Sequence, residues 1–153
     1  MDILQVILRI AHIAPAIVLG GAAIFRLVAV QPVLQTLDPT QRQALSGQFI
    51  RRWIVVLWAC IVLLLLSGLL NFLLYKLPAV RGQPFAGLYH GLLGLKIIAA
   101  LAVFHAAAVV TMPGAHFERY RARAPFWLGL ATGLVGLIIV LAAILRYLPT
   151  FYT

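Results

Sequence analysis

From Trp53 to Tyr75 the chain reads WIVVLWACIVLLLLSGLLNFLLY, without one charged residue. A helix needs roughly 20 apolar residues to cross a hydrocarbon core about 30 Å thick. A strand of an outer-membrane barrel would alternate apolar with polar side chains, and this run does not alternate. The stretch therefore predicts a transmembrane helix spanning about 53–75. The same test picks out three more runs, near 5–29, 88–112 and 126–147. The expected architecture is an all-α, four-transmembrane-helix up-down bundle, with residues 1–153 forming a single integral membrane domain.

Composition points the same way. Of the 153 residues, 64% are hydrophobic and 10% charged. A soluble domain carries about a quarter charged residues, because its surface must face water. Lysine and arginine number 12 against 3 acidic residues, a net charge of +9. Most of these cations flank apolar runs, where topology and anionic headgroups account for them, so nucleic acid is not an expected partner. The lone cysteine, Cys60, permits no intrachain disulfide. The first apolar run, about 25 residues long, exceeds a signal-peptide core and is expected to remain as the first span.

The connections carry their own signals. In the first, about 30–52, Asp38 is placed to cap a helix that starts at Pro39. Leu45, Phe49 and Trp53 then recur at helical spacing, which predicts a short interfacial helix feeding the second span. Pro78, Gly82 and Pro84 predict a compact turn in the second connection. Arginine and lysine counts set the orientation. Arg26, Arg42, Arg51, Arg52, Arg119, Arg121 and Arg123 lie at one end, and Arg9, Lys76, Arg81 and Arg146 at the other. The expectation is a bacterial inner-membrane protein with loops about 30–52 and 113–125 cytoplasmic and both termini outside. Tyr75, Tyr89 and Tyr147 would belt the outer interface. Gly20-Gly21, Gly87, Gly91, Gly94, Gly129, Gly133 and Gly136 are expected to let helix backbones approach closely.

Ionisable groups inside a membrane are costly, and they face a partner, a cavity or a cofactor more often than lipid. The candidates of this kind within the spans, with one amide added, are His12, Arg26, Asn71, His90, Lys96, His105 and Arg146. At 1.5 Å per residue, His12 lies about 7 Å and Lys96 about 6 Å outward of mid-span, Asn71 roughly 10 Å and His90 roughly 15 Å. These four share the outer half. His105 lies about 7 Å the other way. Arg26 and Arg146, near span ends, are expected to snorkel, and Asn71 to act as interhelical glue. Lys96 and His105 face opposite sides of the third helix, while His90 and His105 fall within about 60° of one another. Either face can be the inward one on this pattern.

A b-type haem in a helical bundle needs one or two axial histidines at matched depth. His12 and His90, about 7 Å apart in depth, are the candidate cofactor and metal ligands. Lys96 is the third cofactor-binding candidate. Soft copper sites prefer Cys and Met, and only Cys60, Met1 and Met112 are present, so haem b is preferred over copper. There is no His-Glu-x-x-His, Gly-rich phosphate loop or Gly-x-Ser-x-Gly, and no acidic residue within a span. Hydrolysis, phosphoryl transfer and a carboxylate proton relay are set aside.

The run from His12-Ile13 to Leu19-Gly20-Gly21 resembles the His-then-Gly-Gly opening of CopD-like membrane proteins. Leu66-Ser67-Gly68-Leu69 in the second span, and His90 with Leu95-Lys96 in the third, extend the likeness over about the first 110 residues. The third-span lysine is also similar to that of HemJ-type protoporphyrinogen oxidases, which carry a His in one helix and a Lys in another. The resemblance implies copper handling, or haem and porphyrin chemistry, with His12 and Lys96 as the matching positions. Val18 stands where CopD-like proteins often have Trp, and methionine-rich copper segments are missing.

Three functions are thus expected in order. The first is a CopD-like protein with a redox centre at an outer-leaflet His/Lys site. The second is a HemJ-like porphyrinogen oxidase, and the third an accessory subunit of a larger membrane complex. The bilayer is the first expected partner, followed by other membrane subunits or further copies of the chain.

Overall fold

The computed structural model describes residues 2–152, and four long helices dominate it. The first runs Ile3–Phe25 and continues through Arg26–Val30 and Gln31–Thr36. The second runs Pro39–Asn71 and continues through Phe72–Lys76 and Leu77–Val80. The third is Ala86–Val109 and the fourth Ala124–Tyr147. All four are long and apolar enough to cross a membrane. The expected all-α, four-helix bundle is what the chain forms.

The first two helices are longer than the apolar runs predicted, and both extensions share one device. A π turn, Arg26–Val30 or Phe72–Lys76, ends two residues before a proline, Pro32 or Pro78. Proline has no N–H to donate four residues back, and its ring crowds the carbonyl there. The widened turn makes room: the N–H of Gln31 reaches back five residues to the Arg26 carbonyl, and that of Leu77 to the Phe72 carbonyl. The helix passes each proline instead of stopping.

The predicted start at Pro39 holds. Asp38 caps it, its Oδ1 accepting from the Gln41 N–H at 2.9 Å. The interfacial helix and the second span are one unbroken α-helix from Pro39 to Asn71. Arg42 folds back to donate to the carbonyls of Leu34, Gln35 and Leu37 at 2.7, 3.1 and 3.2 Å. It thereby satisfies the open C-terminus of the first helix, where a cation also complements the helix dipole.

In cross-section the second helix packs on the first, the first on the fourth and the fourth on the third, while the second and third meet only slightly. Leu19 joins Leu57, Cys60, Ile61 and Leu64 between the first two helices. Ala23, Val103, Ala106 and Ala131 tie the first, third and fourth. Val80, Phe85, Tyr89, Leu145 and Leu148 close the end that carries both termini. Tyr89, expected at an interface, is thus a core residue, 5% exposed. Large aliphatic side chains such as Val55, Ile98 and Ile139 are well exposed along the helices. A water-soluble protein rarely exposes such continuous apolar surface, whereas lipid accommodates it. The chain is a helical integral membrane protein.

Most glycines do not serve the close approach expected of them. A Cβ at Gly87, Gly91, Gly94, Gly129, Gly133 or Gly136 would meet nothing within 4 Å. Only Gly20, 3.2 Å from Val135 Cγ1, and Gly68 stand against another helix.

Candidate functional site

Burial on the third helix decides which face points inward. Tyr89, Lys96, Ala99, Val103 and Ala106 step by seven, three, four and three residues, and all but Lys96 are fully buried. That spacing is one helical stripe, so Lys96 lies on the face turned into the bundle, half-buried. His90 and His105 share the opposite face with Ile97, Ile98 and Leu101, all exposed. His90 hydrogen-bonds its own helix, Nδ1 donating to the Ala86 carbonyl at 2.6 Å, and lies edge-on to Phe72 at 6.3 Å. His105 packs edge-on to Trp127 at 5.9 Å.

His12 faces the second helix. Its Nδ1 lies 3.1 Å from the hydroxyl oxygen of Ser67, a residue 3% exposed. The Ser67 hydroxyl has one hydrogen, which it donates one turn back to the Leu63 carbonyl, with the Leu64 carbonyl at 3.4 Å. Its oxygen is therefore left to accept, and the proton between the two residues sits on His12 Nδ1. Nε2 is then the basic nitrogen, carrying a free lone pair. The ring edge rests on Gly68, where a Cβ would stand 3.0 Å from Cε1 and 3.3 Å from Nδ1. Any larger residue at 68 would displace the imidazole.

From this pair a polar seam climbs the second helix. Ser67, Asn71 and Tyr75 are spaced by four residues and so occupy one face. Asn71 Oδ1 is buried and has no partner among the described residues. Tyr75 donates to Asp2 Oδ2 at 2.8 Å, closing the seam at the end of the bundle. Eight residues of helix make the seam about 12 Å long.

The charges around it are predominantly cationic. Lys96 is within electrostatic reach of both His12 and Lys76, and Lys76 of Arg9 and Arg146. Four cations on four helices thus surround the end of the bundle where His12 sits, and Asp2, a carboxylate at this end, is engaged by Tyr75. Such a site favours an anionic group and, at His12, an acceptor of a lone pair.

Arg26 departs from the expected snorkelling. It is 8% exposed, donates from Nη2 to the Val110 carbonyl at 3.3 Å, and stands over the Phe49 ring at 5.5 Å. It joins the first helix to the C-terminal end of the third. Cys60 is buried among aliphatic side chains. Among the described residues no three His, Cys, Asp or Glu side chains converge as a metal-binding group.

His12 and Lys96 are thus drawn to the inward side of one bundle end, while His90 stands on the outer face of its helix. Ser67 and Gly68 are the residues that sequence reasoning about titratable groups passes over. Their only signal was membership of the Leu66-Ser67-Gly68-Leu69 run. No protein-family model matches the chain, and comparison with curated proteins and with solved structures finds no match.

Proposed function

We propose that this chain is a CopD-like membrane protein that holds a redox centre, haem b before copper, at the end of the bundle carrying both termini. His12 would hold the metal of such a group, and Lys96, with Lys76 and Arg146, would pair with its carboxylates. The observation that carries this reading is the His12–Ser67 hydrogen bond. A ligating histidine characteristically donates its other ring N–H to a fixed acceptor, which sets tautomer and ring orientation. His12 does so through Nδ1, and its Nε2 lone pair remains available.

The donor set suits haem better than copper. One imidazole would suffice to hold a haem iron, and the remaining cations match carboxylates rather than a metal. A copper site would want further soft donors near His12, and Cys60 is enclosed in a different cluster. Bound there, haem b would supply one-electron transfer. His90 enters this reading as a second ligand only for a group that reaches in from the lipid side of the third helix. In a bacterial inner membrane the charge asymmetry of the loops would put this end outside.

A second reading rests on Lys96. An inward-facing lysine in electrostatic reach of a histidine is also the pairing of a HemJ-like porphyrinogen oxidase, in which the two residues would place a tetrapyrrole substrate. The test is a reduced-minus-oxidised visible spectrum of the purified protein, with pyridine haemochrome and metal analysis on the same sample. A stoichiometric b-type signal supports the haem reading. A colourless protein that turns protoporphyrinogen into fluorescent protoporphyrin supports the enzyme. A colourless, inactive protein that copurifies with other membrane subunits supports the accessory role.

A further inference from the structure

Five of the arginines at the opposite end of the bundle fall into two groups, while Arg51 and Arg52 are exposed on the second helix. Arg26 and Arg42 are held by backbone carbonyls, as described above. Arg121 is held likewise, donating to Met112 and Gly114 at 2.6 and 3.0 Å. These three close helix ends and loops. Arg119 and Arg123 do neither. Both are exposed, and with Tyr120, Phe126 and Trp127 they line a cavity of about 390 Å³. It lies where the short helix Glu118–Ala122 meets the start of the fourth long helix.

The walls are preset. Arg119 stacks its guanidinium over the Tyr120 ring at 4.7 Å and donates to the Tyr120 hydroxyl at 2.9 Å. Tyr120 packs on Trp127 at 5.7 Å, and Trp127 edge-on to Phe126 at 5.5 Å. A guanidinium held this way loses little freedom on binding and offers its remaining N–H groups to a phosphate. Below the cavity the fourth helix presents Phe126, 64% exposed, and one turn on Leu130, 40% exposed. Two cations at the mouth and an apolar track leading into the span match a molecule with an anionic head and hydrocarbon tails.

We infer that the Arg119–Tyr120–Arg123–Phe126–Trp127 cavity binds the phosphate headgroup of an anionic phospholipid, whose chains lie along Phe126 and Leu130. The site is remote from His12 and stands independently of any cofactor there. A basic residue near an anionic membrane surface contributes about 1 kcal/mol, so two give a preference of roughly tenfold or more over a zwitterionic lipid.

The test uses the full-length protein, delipidated in detergent and offered equimolar phosphatidylglycerol and phosphatidylcholine, with bound lipid counted by native mass spectrometry. Wild-type protein should retain phosphatidylglycerol about tenfold over phosphatidylcholine. Arg119→Gln with Arg123→Gln should bring the two lipids close to parity, while Arg51→Gln with Arg52→Gln, at the same end of the bundle, should keep the preference. The inference is overturned if the first pair of substitutions leaves the preference intact, or if the second pair abolishes it equally, since diffuse charge would then suffice. Displacement of the lipid by inorganic phosphate at the same concentration would assign the cavity to soluble phosphate compounds, and would likewise overturn it.

Discussion

The imidazole of His12 on the first long helix and the hydroxyl of Ser67 on the second are joined by a hydrogen bond, Nδ1 to Oγ, 3.1 Å long. Ser67 is itself anchored to the Leu63 carbonyl, so the bond fixes both the position of the ring and the nitrogen that carries its proton. Hydrogen bonds between membrane helices contribute modestly to stability, about 0.6 kcal/mol on average. The larger consequence is orientation: Nε2 is presented as an unprotonated donor.

Ser67→Ala should therefore separate the two effects. We expect a stability loss of about 1 kcal/mol or less in denaturant titration. Haem affinity, followed by Soret titration, should fall at least about tenfold, as when an orienting partner of a metal ligand is lost. Unchanged affinity would show that Ser67 does not orient a ligand.

Lys96→Met should act on charge alone. A tetrapyrrole with free propionates should bind about tenfold more weakly, whereas its dimethyl ester should bind wild type and variant alike. If stability rises and both compounds bind as before, Lys96 is a tolerated cation with no ligand.

Gly68→Ala should disturb the site from the backbone side. The new methyl would stand 3.0 Å from His12 Cε1, so the ring must move, at a cost of about 1–3 kcal/mol. Gly129→Ala is the control. Its Cβ meets nothing within 4 Å, and a helix-interior alanine is favoured over glycine by up to about 1 kcal/mol. Unfolding of both variants in parallel should give shifts of opposite sign, and two equal losses would contradict the packing described.

Arg26→Ala should destabilise the bundle by about 2 kcal/mol or more, because it leaves the Val110 carbonyl without its donor and a cavity beside Phe49. Thermal or denaturant unfolding reads the loss directly. A neutral result would mean that the guanidinium can leave the interior for the interface, as a snorkelling residue does.

Much of the fold was legible because hydrocarbon imposes a simple rule: every backbone polar group must be satisfied within a span, so long apolar runs become helices. Asp38 and Pro39 were equally readable, since their chemistry is local. The passage of the first two helices past Pro32 and Pro78, as far as Thr36 and Val80, is another matter. Pro78 reads as part of a turn, and the π turns that accommodate it and Pro32 have no sequence signature of their own. Arg26 was misread because depth along a helix says nothing about rotation around it. Its position at a span end suggested water, and its face pointed at Phe49 and Val110. The same blindness to rotation left the inward face of the third helix open until burial of Tyr89, Ala99 and Val103 placed Lys96 on it. His12 and Lys96 were legible as costly polar groups. Ser67 and Gly68 were not, since a serine or glycine inside a span is ordinary until a partner is seen across the interface.

The most direct measurement is the haem stoichiometry of wild-type protein and of His12→Ala, expressed with ample haem supply and purified side by side, by pyridine haemochrome. We expect a near-stoichiometric b-type signal in wild type and its loss in His12→Ala, with the variant still inserted in the membrane and eluting as wild type does. Equal haem in both proteins would remove His12 as the ligand and with it the proposed site.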